Sequence, residues 1–115
     1  MGDDFAEERK QIALLARRKE SRIVPRSPDM PCDWRPTTVT NPAANIPFTD
    51  ISAWHYIADL VESGHPIETI TLDKPPGETG FVMLVEMEAE SPRLYIKLQL
   101  KRGRIFGRSF HYSTE

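Results

Sequence analysis

Hydrophobic and polar positions follow a helical period most clearly between residues 49 and 63. Large apolar or small side chains recur there at spacings of three and four, which predicts one buried helix face: Ile51, Trp54, Ile57, Ala58 and Val61. Thr49 or Asp50 is suited to cap the start of this helix. Gly64 is suited to end it in the left-handed conformation, and Pro66 prevents continuation. The pattern therefore predicts a helix from about residue 50 to residue 63.

The pattern changes to that of β-strands after this helix. Residues 68–72 alternate and are rich in β-branched side chains, and residues 81–88 form an apolar run suited to a central strand. Residues 73–80 between them read as a loop without a phosphate-binding glycine pattern. Residues 93–100 and 104–112 are predicted to pair as a hairpin. Together these elements predict an α+β fold, with a helix packed on a small, mostly antiparallel sheet of about four strands.

The first 23 residues predict a helix. Good helix formers dominate residues 4–22, Gly and Pro are missing, and the acidic residues come first. Its apolar stripe is narrow and consists of Phe5, Ile12 and Leu15, with Leu14 at the margin. This stripe favours a peripheral, solvated helix, although contact with the domain, a partner or nucleic acid is open.

Residues 24–48 predict an extended arm. They contain six prolines, each of which removes a backbone donor and restricts the preceding residue. Trp34, Val39 and Phe48 are the side chains expected to pin the arm to the domain, and a disordered linker is the alternative. The predicted organisation is thus a helix (1–23), an arm (24–48) and an α+β domain (49–115).

Charge is segregated along the chain, although the net charge is only −2. Residues 48–90 hold nine acids and one base, whereas residues 91–114 hold six bases and no acid: Arg93, Lys97, Lys101, Arg102, Arg104 and Arg108. Like charges on one hairpin repel, so their concentration indicates an anionic ligand. The alternative is a solvated sheet edge that resists aggregation.

Cysteine and hydropathy patterns predict a cytoplasmic protein. Cys32 is the only cysteine, so no internal disulfide can form. No apolar run approaches the roughly 18 residues that a membrane span needs. We therefore expect no membrane association.

The predicted hairpin presents two different faces. Because side chains alternate across a strand, Leu94, Ile96, Leu98 and Leu100 form an apolar face directed at the core. The opposite face is polar and cationic, and it carries Tyr95, Lys97, Gln99 and Lys101.

The register of the second strand depends on the turn. A two-residue turn at Arg102-Gly103 sets Lys97 opposite Arg108 and Tyr95 opposite Phe110. A three-residue turn, which we prefer for its hydrophobic match, sets Tyr95 opposite Ser109 and Leu98 opposite Phe106. It also sets Leu94 opposite Phe110 and buries both Phe106 and Phe110. It leaves Arg108 on the apolar side and places Ser109 and His111 beside Tyr95 and Lys97.

RNA cleavage needs a base, an acid and cations that stabilise the phosphate, but no metal. Tyr95, Lys97 and His111 are suited to these roles, because histidine titrates near neutrality and clustered cations can lower the pKa of a neighbouring phenol or amine. Tyr95, Tyr112 and Phe106 could stack on nucleobases. Neither HExxH nor CxxC spacing occurs, so we predict no metal.

Two segments resemble the MqsR family of toxin–antitoxin ribonucleases, which belongs to the wider RelE-like group. They are LVESGH at the end of the predicted helix and LYIKLQLKRGRIFGRSFH at residues 94–111. The family ends in a pair of strands, and Tyr95 and Lys97 match the first of them. Ser109-Phe110 matches the second strand. His111 falls where the family carries a catalytic Lys. Counterparts for the family's catalytic Lys and Gln are missing from residues 75–92, and residues 1–47 have no equivalent.

The resemblance implies a bacterial, cofactor-free toxin that cleaves mRNA and is neutralised by an antitoxin over its basic face. In this interpretation Tyr95 and His111 are acid and base in either order, with Lys97 and Arg108 on the phosphate. The further RNA contacts are Arg93, Gln99, Lys101, Arg102, Arg104 and Tyr112. The alternative is a non-catalytic RNA- or protein-binding module that uses the same hairpin.

Overall fold

The fold combines two α-helices with a mixed sheet. The computed structural model describes residues 6–25, 28, 30–87 and 91–113. Its helices are α1 (Ala6–Arg17) and α2 (Asp50–Glu62). The strands in chain order are β1 (Arg22–Ile23), β2 (Asp33–Trp34), β3 (Thr40–Asn41), β4 (Ile46–Pro47), β5 (Glu68–Thr71), β6 (Thr79–Val85), β7 (Leu94–Lys101) and β8 (Arg104–Tyr112).

The main sheet has six strands rather than the predicted four. Its order is β1-β8-β7-β6-β5, and β2 also pairs with β8. Strands β5 to β8 pair antiparallel, whereas the two short strands β1 and β2 pair parallel with β8. The predicted α+β class is therefore confirmed, and the extra strands come from the N-terminal half of the chain.

Helix α2 forms where the hydrophobic period predicts it. The Thr49 hydroxyl accepts from the Ser52 backbone N–H, and the Ser52 hydroxyl accepts from the Thr49 N–H, which makes a reciprocal cap. Gly64 follows the helix with a φ of +89°. Ile51 is the one exception to the predicted stripe. It is 61% exposed because it lies at the margin of the face that Trp54 and Ile57 bury.

Helix α1 is shorter and less peripheral than predicted. It ends at Arg17, and a single 3-10 turn follows it at Lys19–Ser21. Its apolar face packs against α2, so the expectation of a solvated helix is wrong. The buried stripe contains Ile12 and Leu15, as predicted, and is widened by two alanines, Ala13 and Ala16. Leu14 is 56% exposed, and the predicted contribution of Phe5 lies outside the described residues.

The described part of the proline-rich arm is integrated in the domain. Trp34, Val39 and Phe48 are all buried, so their predicted role as anchors is confirmed. Trp34 stacks on Trp54 with ring centroids 4.7 Å apart, and its Nε1 donates to Asp50 Oδ1 at 2.8 Å. The alternative of a disordered linker is therefore wrong for residues 30–48.

The arm also covers one edge of the sheet. Asp33 pairs with Ser109 and Trp34 with Phe110, so β2 satisfies backbone groups of β8 that would otherwise face solvent. Gly107 makes this approach possible. A Cβ at Gly107 would lie 2.6 Å from the ring of Trp34.

The central strands differ from the prediction mainly at their ends. Strand β6 begins at Thr79 instead of Phe81, because Thr79 and Gly80 pair with Thr71 and Ile70. It ends at Val85, and the last predicted position, residue 88, lies outside the described residues. Strand β8 covers 104–112, as predicted.

The hydrophobic core lies between the helices and one face of the sheet, which we call the inner face. Leu94, Ile96 and Leu98 of β7 are at most 1% exposed there, which confirms the predicted apolar face. Leu100 is only half-buried. The opposite face of the sheet, which we call the outer face, carries Tyr95 and Lys97.

Candidate functional site

The hairpin of β7 and β8 has a two-residue turn followed by a bulge. Arg102 and Gly103 both have positive φ, 54° and 73°, which is the geometry that matches the twist of a tight hairpin. Lys101 accordingly pairs with Arg104 and Gln99 with Phe106. The preferred three-residue turn is therefore wrong.

One extra residue in β8 then shifts the register. Leu98 pairs with Gly107 and Lys97 with Ser109, so Arg108 lies unpaired between them. Beyond this bulge the pairing differs from both predicted registers. Tyr95 lies opposite His111, and Phe110 lies in the core opposite Ile96 rather than Leu94. Phe106 lies opposite Gln99 and is only half-buried, so its predicted burial is wrong.

The bulge brings the predicted chemical groups together on the outer face. Directly paired residues of two strands share a face, so Tyr95, Lys97, Ser109 and His111 point the same way. The ring centroids of Tyr95 and His111 are 5.5 Å apart. The predicted grouping of these four side chains is thus confirmed, although it arises from the bulge and not from a longer turn.

Strand β2 adds a carboxylate to this group. Asp33 pairs with Ser109, and Ser109 pairs with Lys97, so the three residues form one row across β2, β8 and β7. Asp33 Oδ2 lies 3.3 Å from His111 Nε2, while His111 Nδ1 lies 2.8 Å from the Tyr112 carbonyl oxygen. We call Asp33, Tyr95, Lys97, Ser109 and His111 the outer-face cluster.

Arg35 holds Asp33 in place. Its Nε and Nη2 atoms lie 2.6 and 2.7 Å from the two carboxylate oxygens of Asp33. This hydrogen bonding, helped by the charge of His111, lowers the pKa of Asp33. Neither residue was predicted as part of the site. The sequence did contain a signal for them. Side chains alternate across a strand, so burial of Trp34 directs its neighbours Asp33 and Arg35 away from the core.

Burial shifts two pKa values in the outer-face cluster in opposite senses. Removal from water raises the pKa of the Tyr95 phenol. It lowers the pKa of the Lys97 amine, to which the positive charge of Arg108 also contributes, while Asp73 opposes the shift. Desolvation penalises whichever form is charged, so Tyr95 is held neutral and Lys97 is moved towards its neutral form.

Arg108 is a structural residue in this fold. It is 3% exposed, and its guanidinium donates to Gln99 Oε1 at 2.8 Å, to the Lys74 carbonyl at 2.6 Å and to the Pro31 carbonyl at 3.2 Å. Arg108 does not lie on the apolar side, as predicted, because the bulge turns it towards the outer face, beneath the loop that contains Lys74. Its burial also does not fit the predicted contact with a phosphate.

Gln99 and Lys101 are also engaged within the protein. Gln99 is 1% exposed and donates to Glu78 Oε1, and Lys101 Nζ lies 2.9 Å from Glu78 Oε2. Glu78 from the acidic segment thus neutralises part of the basic hairpin. The RNA-contacting role predicted for Gln99 does not fit its burial.

The remaining predicted RNA contacts are dispersed. Arg93, Arg102 and Arg104 are exposed, the last two at the hairpin turn, about 20 Å along the strand from Tyr95. Tyr112 lies opposite Leu94 and is half-buried, and its hydroxyl accepts from the Thr40 N–H at 3.1 Å. Tyr112 therefore faces away from the outer-face cluster.

A groove of about 360 Å³ lies beside Lys97. It runs between Pro31 and the segment 70–74, with Lys97 and Arg108 on its lining. Its volume is within the range of small-molecule sites in proteins. It places Lys97 beside a concave surface.

The part of the chain that the structure describes contains no group of three or more His, Cys, Asp or Glu that could hold a metal ion. It contains no helix long and apolar enough to cross a membrane. Comparison of the chain with protein-family models, curated proteins and solved structures finds no match.

Proposed function

We propose that this protein is a metal-independent endoribonuclease of the toxin type, which binds and cleaves mRNA on the outer face of its sheet. The observation that carries the proposal is the contact between the Tyr95 and His111 rings, 5.5 Å apart, with Lys97 in the adjacent row. A phenol, an imidazole and an amine on one accessible surface are sufficient for acid–base cleavage of a ribose phosphate.

The reaction is an attack of the ribose 2′-oxygen on the neighbouring phosphorus. The P–O2′ bond forms, the P–O5′ bond breaks, and the products are a 2′,3′-cyclic phosphate and a 5′-hydroxyl. Lys97 is the proposed base, since its lowered pKa favours the neutral amine that accepts the 2′-hydroxyl proton. Tyr95, whose raised pKa keeps the phenol protonated, donates a hydrogen bond to the phosphate.

His111 is the proposed acid. Each of its ring nitrogens faces an oxygen acceptor, the Tyr112 carbonyl at Nδ1 and the Asp33 carboxylate at Nε2. These two contacts hold the ring in a fixed orientation on the outer face. The Nε2 proton lies within the outer-face cluster and is the one transferred to the departing 5′-oxygen.

A RelE/MqsR-like fold and an antitoxin partner belong to the same proposal. The arrangement that supports the fold assignment is the antiparallel order β8-β7-β6-β5 with both helices on one face. An antitoxin that covers the outer face would block RNA, and the activity would be exerted in a bacterial cytoplasm.

A second candidate is a non-catalytic RNA- or protein-binding module. It is favoured because two of the hairpin's cations bind groups within the protein: Arg108 is buried against Gln99, and Lys101 is paired with Glu78. Of the exposed arginines in residues 91–113, Arg102 and Arg104 lie at the hairpin turn, away from the outer-face cluster, and Arg93 lies just before β7. They suit general contact with an anionic surface.

Purified protein incubated with mixed RNA in EDTA tests both candidates. The enzyme proposal predicts 2′,3′-cyclic phosphate ends, with cleavage at least about 100-fold slower in Tyr95→Phe, Lys97→Met and His111→Asn. Lys19→Met, an exposed lysine far along the chain, is the matched control and should cleave normally. Salt-sensitive binding of intact RNA would support the module instead, and neither binding nor cleavage would exclude both.

A further inference from the structure

A second concave surface lies among the helices, on the opposite side of the sheet from the outer-face cluster. It is a groove of about 530 Å³ between α1 and the last turn of α2. Ala13 and Val61 line its apolar part and are 7% and 2% exposed, and Leu14, 56% exposed, stands at its rim. We call it the helix groove.

Cations flank the apolar residues of the helix groove in two parallel stripes. Arg9, Ala13 and Arg17 follow one another at intervals of four residues, which places them on one line of α1. The adjacent line is Lys10, Leu14 and Arg18, with Arg18 directly after the helix end. Each apolar side chain therefore has a positive charge one turn before it and another one turn after it.

The stripe that contains Arg9 and Arg17 is held by contacts with α2. Arg17 Nη2 lies 2.7 Å from both Asp59 Oδ1 and Glu62 Oε1, and Arg9 Nη1 donates to the Val61 carbonyl at 3.2 Å. The stripe that contains Lys10 and Arg18 makes no such contacts among the described residues. Lys10 and Arg18 are exposed, and neither belongs to the ion pairs formed among residues 6–25, 28, 30–87 and 91–113.

We propose that the helix groove binds an acidic segment of a partner protein. One large apolar side chain of that segment packs on Ala13 and Val61 beside Leu14, and carboxylates one turn to either side pair with Lys10 and Arg18. The charge pattern carries this assignment: Glu62, the acidic residue of the lining, is already neutralised by Arg17, so the groove presents net positive charge around an apolar surface.

Other occupants match the surface less well. A nucleic acid strand would place its phosphates against the apolar floor, and a membrane requires several protruding apolar side chains where the helix groove offers Leu14 alone. A concave site with a few convergent charges is the form expected for a helical or extended peptide with one anchor. The proposal does not depend on RNA cleavage, since the helix groove and the outer-face cluster lie on opposite sides of the sheet.

A designed peptide measures this binding directly. The probe is a fluorescent helical peptide of about 15 residues with a central Leu and Glu residues four positions before and after it. Fluorescence anisotropy is recorded against the full chain, and NMR chemical-shift changes locate the contact. We expect saturable binding that weakens as salt rises from about 50 mM to about 500 mM, with shift changes at Ala13, Leu14 and Val61.

Variants distinguish specific binding in the helix groove from nonspecific binding. Leu14→Ser, and separately the double variant Lys10→Gln/Arg18→Gln, should each weaken binding about tenfold. Ile51→Ser is the matched control, because Ile51 is 61% exposed but lies outside the groove lining. A peptide whose central Leu is replaced by Ser should bind about tenfold more weakly to the unaltered protein.

Three results would overturn the proposal. The first is no saturable binding of the acidic peptide up to about 1 mM, and the second is equal loss of binding in Leu14→Ser and Ile51→Ser. The third is a Leu14-dependent dimer in light scattering, or Leu14-dependent binding to vesicles of anionic lipid, in place of peptide binding. RNA cleavage by Leu14→Ser should be unchanged, so failure here is separable from failure of the proposed nuclease.

Discussion

Asp33 Oδ2 lies 3.3 Å from His111 Nε2, so a residue of the proline-rich arm borders the imidazole of the C-terminal hairpin. The two residues are far apart in sequence and meet because β2 pairs with β8 in parallel. The arm thus has two roles. It covers the edge of the sheet, and it delivers a carboxylate to the outer-face cluster.

The lowered pKa of Asp33 predicts an acid-dependent contribution to stability. A carboxyl group with a lowered folded-state pKa stabilises the fold above its ordinary value of about 3.9, and this contribution is lost as pH falls through the folded-state pKa. Asp33→Asn should therefore lower the free energy of unfolding at neutral pH, by less than about 1 kcal/mol because the carboxylate is partly exposed. Urea unfolding at neutral pH and at about pH 2.5 measures this.

Arg35→Gln is the companion variant for Asp33, since Arg35 is the main cause of the shift. At neutral pH it should lower the free energy of unfolding by most of the amount expected for Asp33→Asn. A difference between wild type and Asp33→Asn that persists unchanged in acid would contradict the assignment.

The charged Lys97 side chain should lower the free energy of unfolding. The unfolded chain keeps Lys97 protonated up to about pH 10.4, whereas the folded-state pKa is lower, so stability rises with pH between the two values. Below the folded-state pKa the half-buried ammonium destabilises the fold. Lys97→Met should therefore raise the urea midpoint at neutral pH, and the proposed nuclease function predicts that it also slows cleavage. A lower midpoint would show that the amine stabilises the fold.

Arg108 should be essential for stability rather than for RNA contact. Arg108→Met removes three donors and leaves Gln99 Oε1 and the Lys74 carbonyl without their partner, so we expect a loss of about 3 kcal/mol in the free energy of unfolding. Arg104→Met changes an exposed arginine of the same strand and should shift stability by less than about 0.5 kcal/mol. Equal effects of the two variants in urea unfolding would refute the structural role of Arg108.

Gly107 should control how the arm docks. An added Cβ would lie 2.6 Å from Trp34 Cζ3, within a ring that is stacked on Trp54 and cannot easily move. Gly107→Ala should cost about 2 kcal/mol and change the near-ultraviolet circular dichroism of the tryptophans. Gly80→Ala is the control, because its nearest neighbour is the flexible end of Leu72, and its effect should be smaller. An unperturbed tryptophan signal in Gly107→Ala would contradict the packing argument.

Local patterns were sufficient for the elements whose causes are local. The α2 helix follows from its apolar period, its Thr49 cap and Gly64, and the two faces of β7 follow from strict alternation. The burial of Trp34, Val39 and Phe48 was predictable because large apolar side chains in a proline-rich segment have few other places to lie.

Long-range packing decided the rest. The burial of α1 depends on contact with α2, which its narrow stripe did not reveal. The bulge at Arg108 arises because that guanidinium finds its acceptors on Gln99 and on two distant backbone segments. No local pattern encodes this choice, since a shift of one residue exchanges the faces of a strand at little local cost.

The sequence alone therefore determined which side chains of the hairpin share its polar face, because alternation and composition are properties of a few neighbouring positions. The tertiary structure decided which of them are available. It placed His111 beside Tyr95 and Asp33. It also buried Arg108 and Gln99. The physical reason is that a buried charge must find hydrogen-bond partners, and those partners come from wherever the folded chain brings them.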